Sequence, residues 1–168
     1  MPYRSLRDFI ARLEAEGELV RVAEPVSTVL EMTEIQTRII AEGGPAILFE
    51  KPVRADGTPS PMPVLANLFG TVKRVAMGAT MGGVERRDAH ALREVGEMLA
   101  TLRQPEPPRS LGEAMELLPL AKTVMSMRPK TAGSAACQEI VWRGDDIDLG
   151  KLPVHTCWPG EPAPLITW

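Results

Sequence analysis

Two histidines and two cysteines are the first places to look for chemistry in this chain. His155 and Cys157 lie two positions apart, and Cys137 precedes Cys157 by twenty. A structural zinc site draws on about four ligands, usually in C-x2-4-C or H-x3-5-H pairs. One Cys–His pair and one distant Cys fall short of that set. The pattern reads as a small buried thiol and a surface imidazole. His90 stands beside a helix start and reads as exposed. The glycines of Met77-Gly-Ala-Thr-Met-Gly-Gly83 contain neither G-x-G-x-x-G nor G-x-x-x-x-G-K-[ST], so they read as a helix-to-helix connection rather than a phosphate loop. Asp145, Asp146 and Asp148 lack the closing Glu of a calcium loop and read as a solvated turn. There is no Ser-x-Gly elbow and no H-E-x-x-H. No carboxylate pair for acid–base work can be picked out of 22 acidic residues without geometry. Motifs alone assign no catalytic residue and no metal ligand.

The elements that must position any site are clearer. Ser5-Leu-Arg-Asp8 resembles a capping box, with Asp in place of Glu. Leu6, Phe9, Ile10 and Leu13 then mark one helix face, closed by Gly17. Leu19-Val20-Arg21-Val22 reads as a short strand. Ser27 or Thr28 can cap a second helix, with Glu31 and Glu34 near its positive end and Leu30, Ile35 and Ile39 on its apolar side. Gly43-Gly44 ends it. Pro45–Glu50 is a compact apolar run, expected to be a strand buried on both faces.

Residues 51–63 read as a loop, Val64–Phe69 as a further strand and Thr71–Gly78 as a short helix. Asp88 can cap a longer helix with Leu92, Val95, Met98, Leu99 and Leu102 on one side. Ser110, with Glu113 three residues on, can cap another. Gln138–Trp142 and the run from Ala163 onward read as strands. The alternation points to an α/β (α+β) fold rather than a bundle. Gln104–Arg109 is proline-rich and stiff, and residues 128–136 are small and polar, so both are linker candidates.

Composition narrows the function classes. The 168 residues carry a net charge of −3, with 44% hydrophobic and 24% charged residues. That balance suits a soluble globular protein and gives no electrostatic footprint for nucleic acid. No apolar run is long enough to span a bilayer. The charged N-terminus lacks the apolar region of a signal peptide. Two cysteines make no disulfide framework, so a cytoplasmic setting is expected.

Several segments, taken together, resemble one family. LRDFIARLEAEGELVRV, GGPAILFEKP, PVLANLFGTVKRVAMGAT, ALREVGEMLA, PEPP and the terminal CWPGEPAPLITW stand in the order found in the N-terminal part of the UbiD family of decarboxylases. The likeness runs from about residue 3 to residue 168 and is strongest toward the members that act on 4-hydroxy-3-polyprenylbenzoate in ubiquinone biosynthesis.

The resemblance implies an N-terminal α/β domain over residues 1–128, followed at residues 129–168 by the first strands of a flavin-binding split β-barrel. It implies a carboxy-lyase that uses prenylated FMN as electron sink, with Mn2+ or Mg2+ and K+ at the cofactor phosphate. A flavin prenyltransferase would supply the cofactor. The substrate would be a small aromatic acid, the full-length assembly a homo-oligomer, often a hexamer. A polyprenylated substrate implies peripheral contact with the inner membrane. The family's metal-binding Asn, catalytic Arg and catalytic carboxylates match no position of this chain, so no catalytic or metal residue carries over. Thr167 alone matches a cofactor-side position, a threonine beside the flavin; as a β-branched strand residue it equally suits a structural role. The expectation is therefore the N-terminal portion of a decarboxylase, inactive alone. The alternatives are a non-catalytic interaction or oligomerisation module, or half of a split enzyme.

Overall fold

The computed structural model describes residue 3 and residues 5–79, 89–103, 110–126, 129, 131, 133–135 and 138–166. The elements in chain order are α1 (Leu6–Ala15), β1 (Leu19–Ser27), α2 (Glu31–Ala41), β2 (Ala46–Val53), β3 (Val64–Ala66), α3 (Val72–Ala79), α4 (Ala89–Arg103) and α5 (Leu111–Ser126). The chain divides into two units, Met1–Gly96 with Asp148–Trp168, and Glu97–Ile147.

The first unit is built around β2. It pairs in parallel with β1 and antiparallel with β3, giving the order β1-β2-β3. Side chains alternate across a strand, so the run Ala46–Phe49 feeds two cores at once. Ala46 and Leu48 join Phe9, Leu13, Leu19 and Met77. Ile47 and Phe49 join Val26, Met32 and Ala66. Helices α1 and α3 therefore cover one face of the sheet and α2 the other, as a run buried on both faces requires.

The start of α1 agrees with the sequence. The Ser5 hydroxyl accepts the Asp8 amide at 3.3 Å, and Gly17, at φ +69°, ends the helix in the left-handed region. Leu6 is exposed, so the apolar face narrows to Phe9, Ile10 and Leu13. Strand β1 runs on past Val22 through a register shift between Val22 and Pro25. A bulge on an edge strand accommodates the proline. Strand β2 likewise runs to Val53 despite Pro52. Its pairing with β3 covers only Ile47–Phe49, so the missing N–H at Pro52 interrupts no bond of that ladder. Strand β3 is shorter than the expected Val64–Phe69 because Asn67 turns out of the sheet at φ 55°.

Neither Ser27 nor Thr28 caps α2. The cap is Leu30, without a side-chain bond. Ser27 instead holds the preceding turn: its hydroxyl accepts the Val29 amide at 3.1 Å, and its own amide donates to Glu31 at 2.7 Å. Met32, not Leu30, reaches the core beside Ile35 and Ile39.

In the second unit, α5 follows Ser110 directly and contains Pro119. Leu111, Met115, Leu118 and Met125 stand exposed along it, with Leu111 at 87%. The strands expected at Gln138–Trp142 and from Ala163 onward are not formed: among the described residues Gln138–Trp142 and Ala163–Ile166 carry no strand. A strand persists only in a ladder, and neither run has a ladder partner among the described residues. Ile140 and Val141 are accordingly 79% and 58% exposed.

Candidate functional site

The end of β1, the loop after β2 and residues 149–166 together enclose a cleft of about 420 Å3. Its walls include Thr28, Arg54, Asp56, Leu149, Val154 and Ile166. The sequence Arg54-Ala-Asp-Gly-Thr58 forms one wall by local chemistry. Asp56 accepts both the Thr58 amide (2.9 Å) and the Thr58 hydroxyl (2.6 Å), closing an Asx turn. Gly57 follows at φ +79°. The Thr58 hydroxyl also receives the Arg54 guanidinium at 2.6 and 2.9 Å, and Nη1 of that arginine reaches the Gly150 carbonyl at 3.2 Å. Arg54 thereby fastens the 149–151 turn, itself held by Asp148, whose carboxylate accepts the Gly150 amide at 2.9 Å. The Thr58 hydroxyl, above all, holds the Asp56 carboxyl below the usual range. The cleft presents an apolar wall and an arginine already engaged, and among the described residues no nucleophile–base pair lines it.

The opposite wall is tied down by residues 154–157. Val29 and Thr156 form a parallel bridge. The Thr156 amide donates to the Thr28 carbonyl and the Leu30 amide to the Thr156 carbonyl, each at 3.0 Å.

A second polar centre lies in the segment NLFGTVKRVAMG. Arg74 is fully buried. Its Nη1 donates to Glu18 at 3.1 Å and its Nε to the Leu68 carbonyl at 3.2 Å. Lys73 donates to the same carboxylate at 2.6 Å. Lys73 first, then Arg74, holds the Glu18 carboxyl below its ordinary value. Asn67 donates to the carbonyls of Gly44 (3.2 Å) and Pro45 (2.8 Å). A Cβ at Gly70 would clash with Asn67 Oδ1, so any larger residue there must displace the Asn67 side chain. Here α3 is pinned to the α1–β1 turn and to the start of β2.

The residues singled out by sequence fare unequally. Thr167 and Cys137 lie outside the described residues, as do residues 80–83 of the glycine segment and Asp88. Ile166, the neighbour of Thr167, lines the cleft. His155 is not a surface imidazole. Docking of residues 154–157 half-buries it, leaves Nε2 shielded without a hydrogen-bond partner among the described residues, and lowers its proton affinity by desolvation. Cys157 is partly buried, and its amide donates to Glu161 at 2.7 Å. His90 is exposed, Met77 is core, and Asp145 and Asp146 form an exposed 3-10 turn. Among the described residues no three His, Cys, Asp or Glu side chains converge as a metal site. Sequence reading missed the Arg54–Gly150 link and the Asn67–Gly70–Arg74 centre. The D-G-T turn signal was visible, but its distant partner was not.

Residues 10–99 match the sequence model described as the N-terminal domain of 3-octaprenyl-4-hydroxybenzoate carboxy-lyase. Residues 129–168 match the one for the Rift-related domain of the same carboxy-lyase. The chain therefore belongs to the UbiD family of carboxy-lyases. Among solved structures it is similar to the UbiD-class enzyme HmfF from Pelotomaculum thermopropionicum in complex with FMN. That match has 25% identity and a TM-score of 0.43, over 62% of this chain and 20% of that one. An evolved dimeric form of HmfF in complex with prFMN matches at 25% identity and TM-score 0.42, over 64% of this chain and 22% of that one. The chain thus spans about a fifth of the length of these enzymes. Among the described residues no helix is long and apolar enough to cross a membrane.

Proposed function

We propose that this chain is the N-terminal portion of a prenylated-FMN-dependent, non-oxidative decarboxylase acting on 4-hydroxy-3-polyprenylbenzoate in ubiquinone biosynthesis. The observation that carries the reading is the pair of family matches in chain order, residues 10–99 and then 129–168. In this reading residues 1–128 form the α/β domain and residues 129–168 begin the flavin-binding domain. Catalysis is a property of the whole enzyme, and the 168-residue chain alone is inactive. The whole protein is read as a cytoplasmic homo-oligomer, a hexamer in the fullest form, touching the inner membrane peripherally and receiving its cofactor from a flavin prenyltransferase.

The bound cofactor would supply an electron sink for the charge left by departing carbon dioxide. The described residues do not fit its phosphate end or the accompanying Mn2+ and K+. No acidic or histidine cluster converges among them, and Arg54 is already taken by Thr58 and Gly150. No step is therefore assigned to them. Thr167 remains the one position proposed to lie beside the flavin.

The test is a decarboxylation assay on 4-hydroxy-3-polyprenylbenzoate with prenylated FMN supplied. Carbon dioxide release by the full-length protein, and none by the 168-residue chain, is the expected result. Turnover by the chain alone, or none by the loaded full-length protein, would reject the reading. The exposed apolar side chains of α5 favour a second reading, an interaction module or half of a split decarboxylase.

A further inference from the structure

Residues 154–157 cross the end of β1 as a strap, and three observations on that strap converge. The first is its attachment, the Val29–Thr156 bridge with its two flanking hydrogen bonds. The second is the backbone beneath it. Leu30 sits at φ 64°, ψ −36°, closed by a 2.7 Å bond from the Glu31 amide to the Val29 carbonyl. A γ-turn of this hand is rare for a residue with a branched side chain, and persists where its surroundings hold it. The strap supplies that hold, because the Leu30 amide donates to Thr156. The third is His155, next to that anchor, with Nε2 shielded from solvent and without a hydrogen-bond partner among the described residues.

We propose that the strap is a pH-operated latch: protonating His155 places a charge and a second N–H where no described residue receives them, the strap lifts from Thr28–Leu30, and Leu30 relaxes from its left-handed turn. Val154 lines the cleft, so release opens that wall.

The ionisable groups on the neighbouring elements are Glu24 and Glu31 near the end of β1 and the start of α2, and Arg54 and Asp56 after β2. On the strap's own segment they are Asp148, Lys151 and Glu161. Glu31 accepts the Ser27 amide, Arg54 binds Thr58 and Gly150, and Asp56 accepts from Thr58. Asp148 accepts the Gly150 amide, and Glu161 accepts the amides of Cys157 and Trp158. No charge among them offsets the imidazole; burial alone lowers its proton affinity. The neutral form is thus favoured in the latched state. Latching is complete above the ordinary imidazole value of about 6.5 and weakens as pH falls below it.

The test is an NMR titration of the 168-residue chain from neutral to mildly acidic pH. It follows the His155 ring together with amide exchange at Leu30 and Thr156, corrected for intrinsic exchange rates. Leu48 and Phe49 amides report on the core. Strap protection is expected to fall by up to about tenfold per pH unit between the ordinary and the lowered imidazole values, with core protection unchanged. His155→Gln and His155→Phe are expected to make strap protection independent of pH. The proposal is overturned if wild-type protection ignores pH, if the dependence survives in either variant, or if the core opens in step. It is also overturned if the ring titrates while the strap stays closed, a result that needs no variant to fold.

Discussion

Arg74 and Glu18 show what a few atoms decide. A guanidinium with no solvent exposure needs its counter-charge, and removing one partner of such a pair leaves an uncompensated charge. Glu18→Gln is expected to destabilise the chain by about 3 kcal/mol in urea unfolding. The lowered Glu18 value sets the pH sign. Its contribution is present above the ordinary carboxylate value and lost as pH falls through the lowered one. Wild-type stability should therefore fall at acid pH, and the fall should be shallower in Glu18→Gln. Gly70→Ala forces Asn67 off the Gly44 and Pro45 carbonyls and is expected to cost about 2 kcal/mol by the same measurement. Little of this was legible in sequence. Asn67, Gly70 and Arg74 were readable as residue types, but their meeting with Glu18 depends on how α3 packs. His155 was misread for the same reason, since its burial comes from docking onto a segment far away in the chain.

At the scale of elements the sequence was more informative. The apolar run Pro45–Glu50 predicted a strand buried on both faces, and both cores form on its residues Ala46 to Phe49. Glycine stops predicted the ends of α1 and α2 because a left-handed residue closes a helix by local geometry. Strand ends were harder, because Pro25 is tolerated through a bulge and Pro52 by lying beyond the β2–β3 ladder, which only the register reveals. The runs at 138–142 and 163–166 have strand-like composition without a ladder, and composition cannot supply a neighbour. Pro119 lies inside α5, where it removes an internal bond and crowds the preceding turn. Pro119→Ala is expected to strengthen that helix by up to about 3 kcal/mol, read as a larger far-ultraviolet helix signal.

At the scale of the molecule, family membership was legible because motif order survives where single residues are ambiguous. The exposed leucines and methionines of α5, with Ile140 and Trp158 also exposed, leave much apolar surface in water. The 168-residue chain is expected to self-associate with rising concentration in light scattering; a monomer throughout would count against the interaction-module reading. The strap bears on the order of assembly. Strands β1 and β2 with α2 between them can close once Val53 is made, whereas Val29 must await Thr156, 127 residues further along. Closing so long a loop is entropically slow. During synthesis the sheet can therefore form on the ribosome before residue 156 has emerged. Substitutions in the strap should then hasten unfolding while leaving the refolding rate almost untouched.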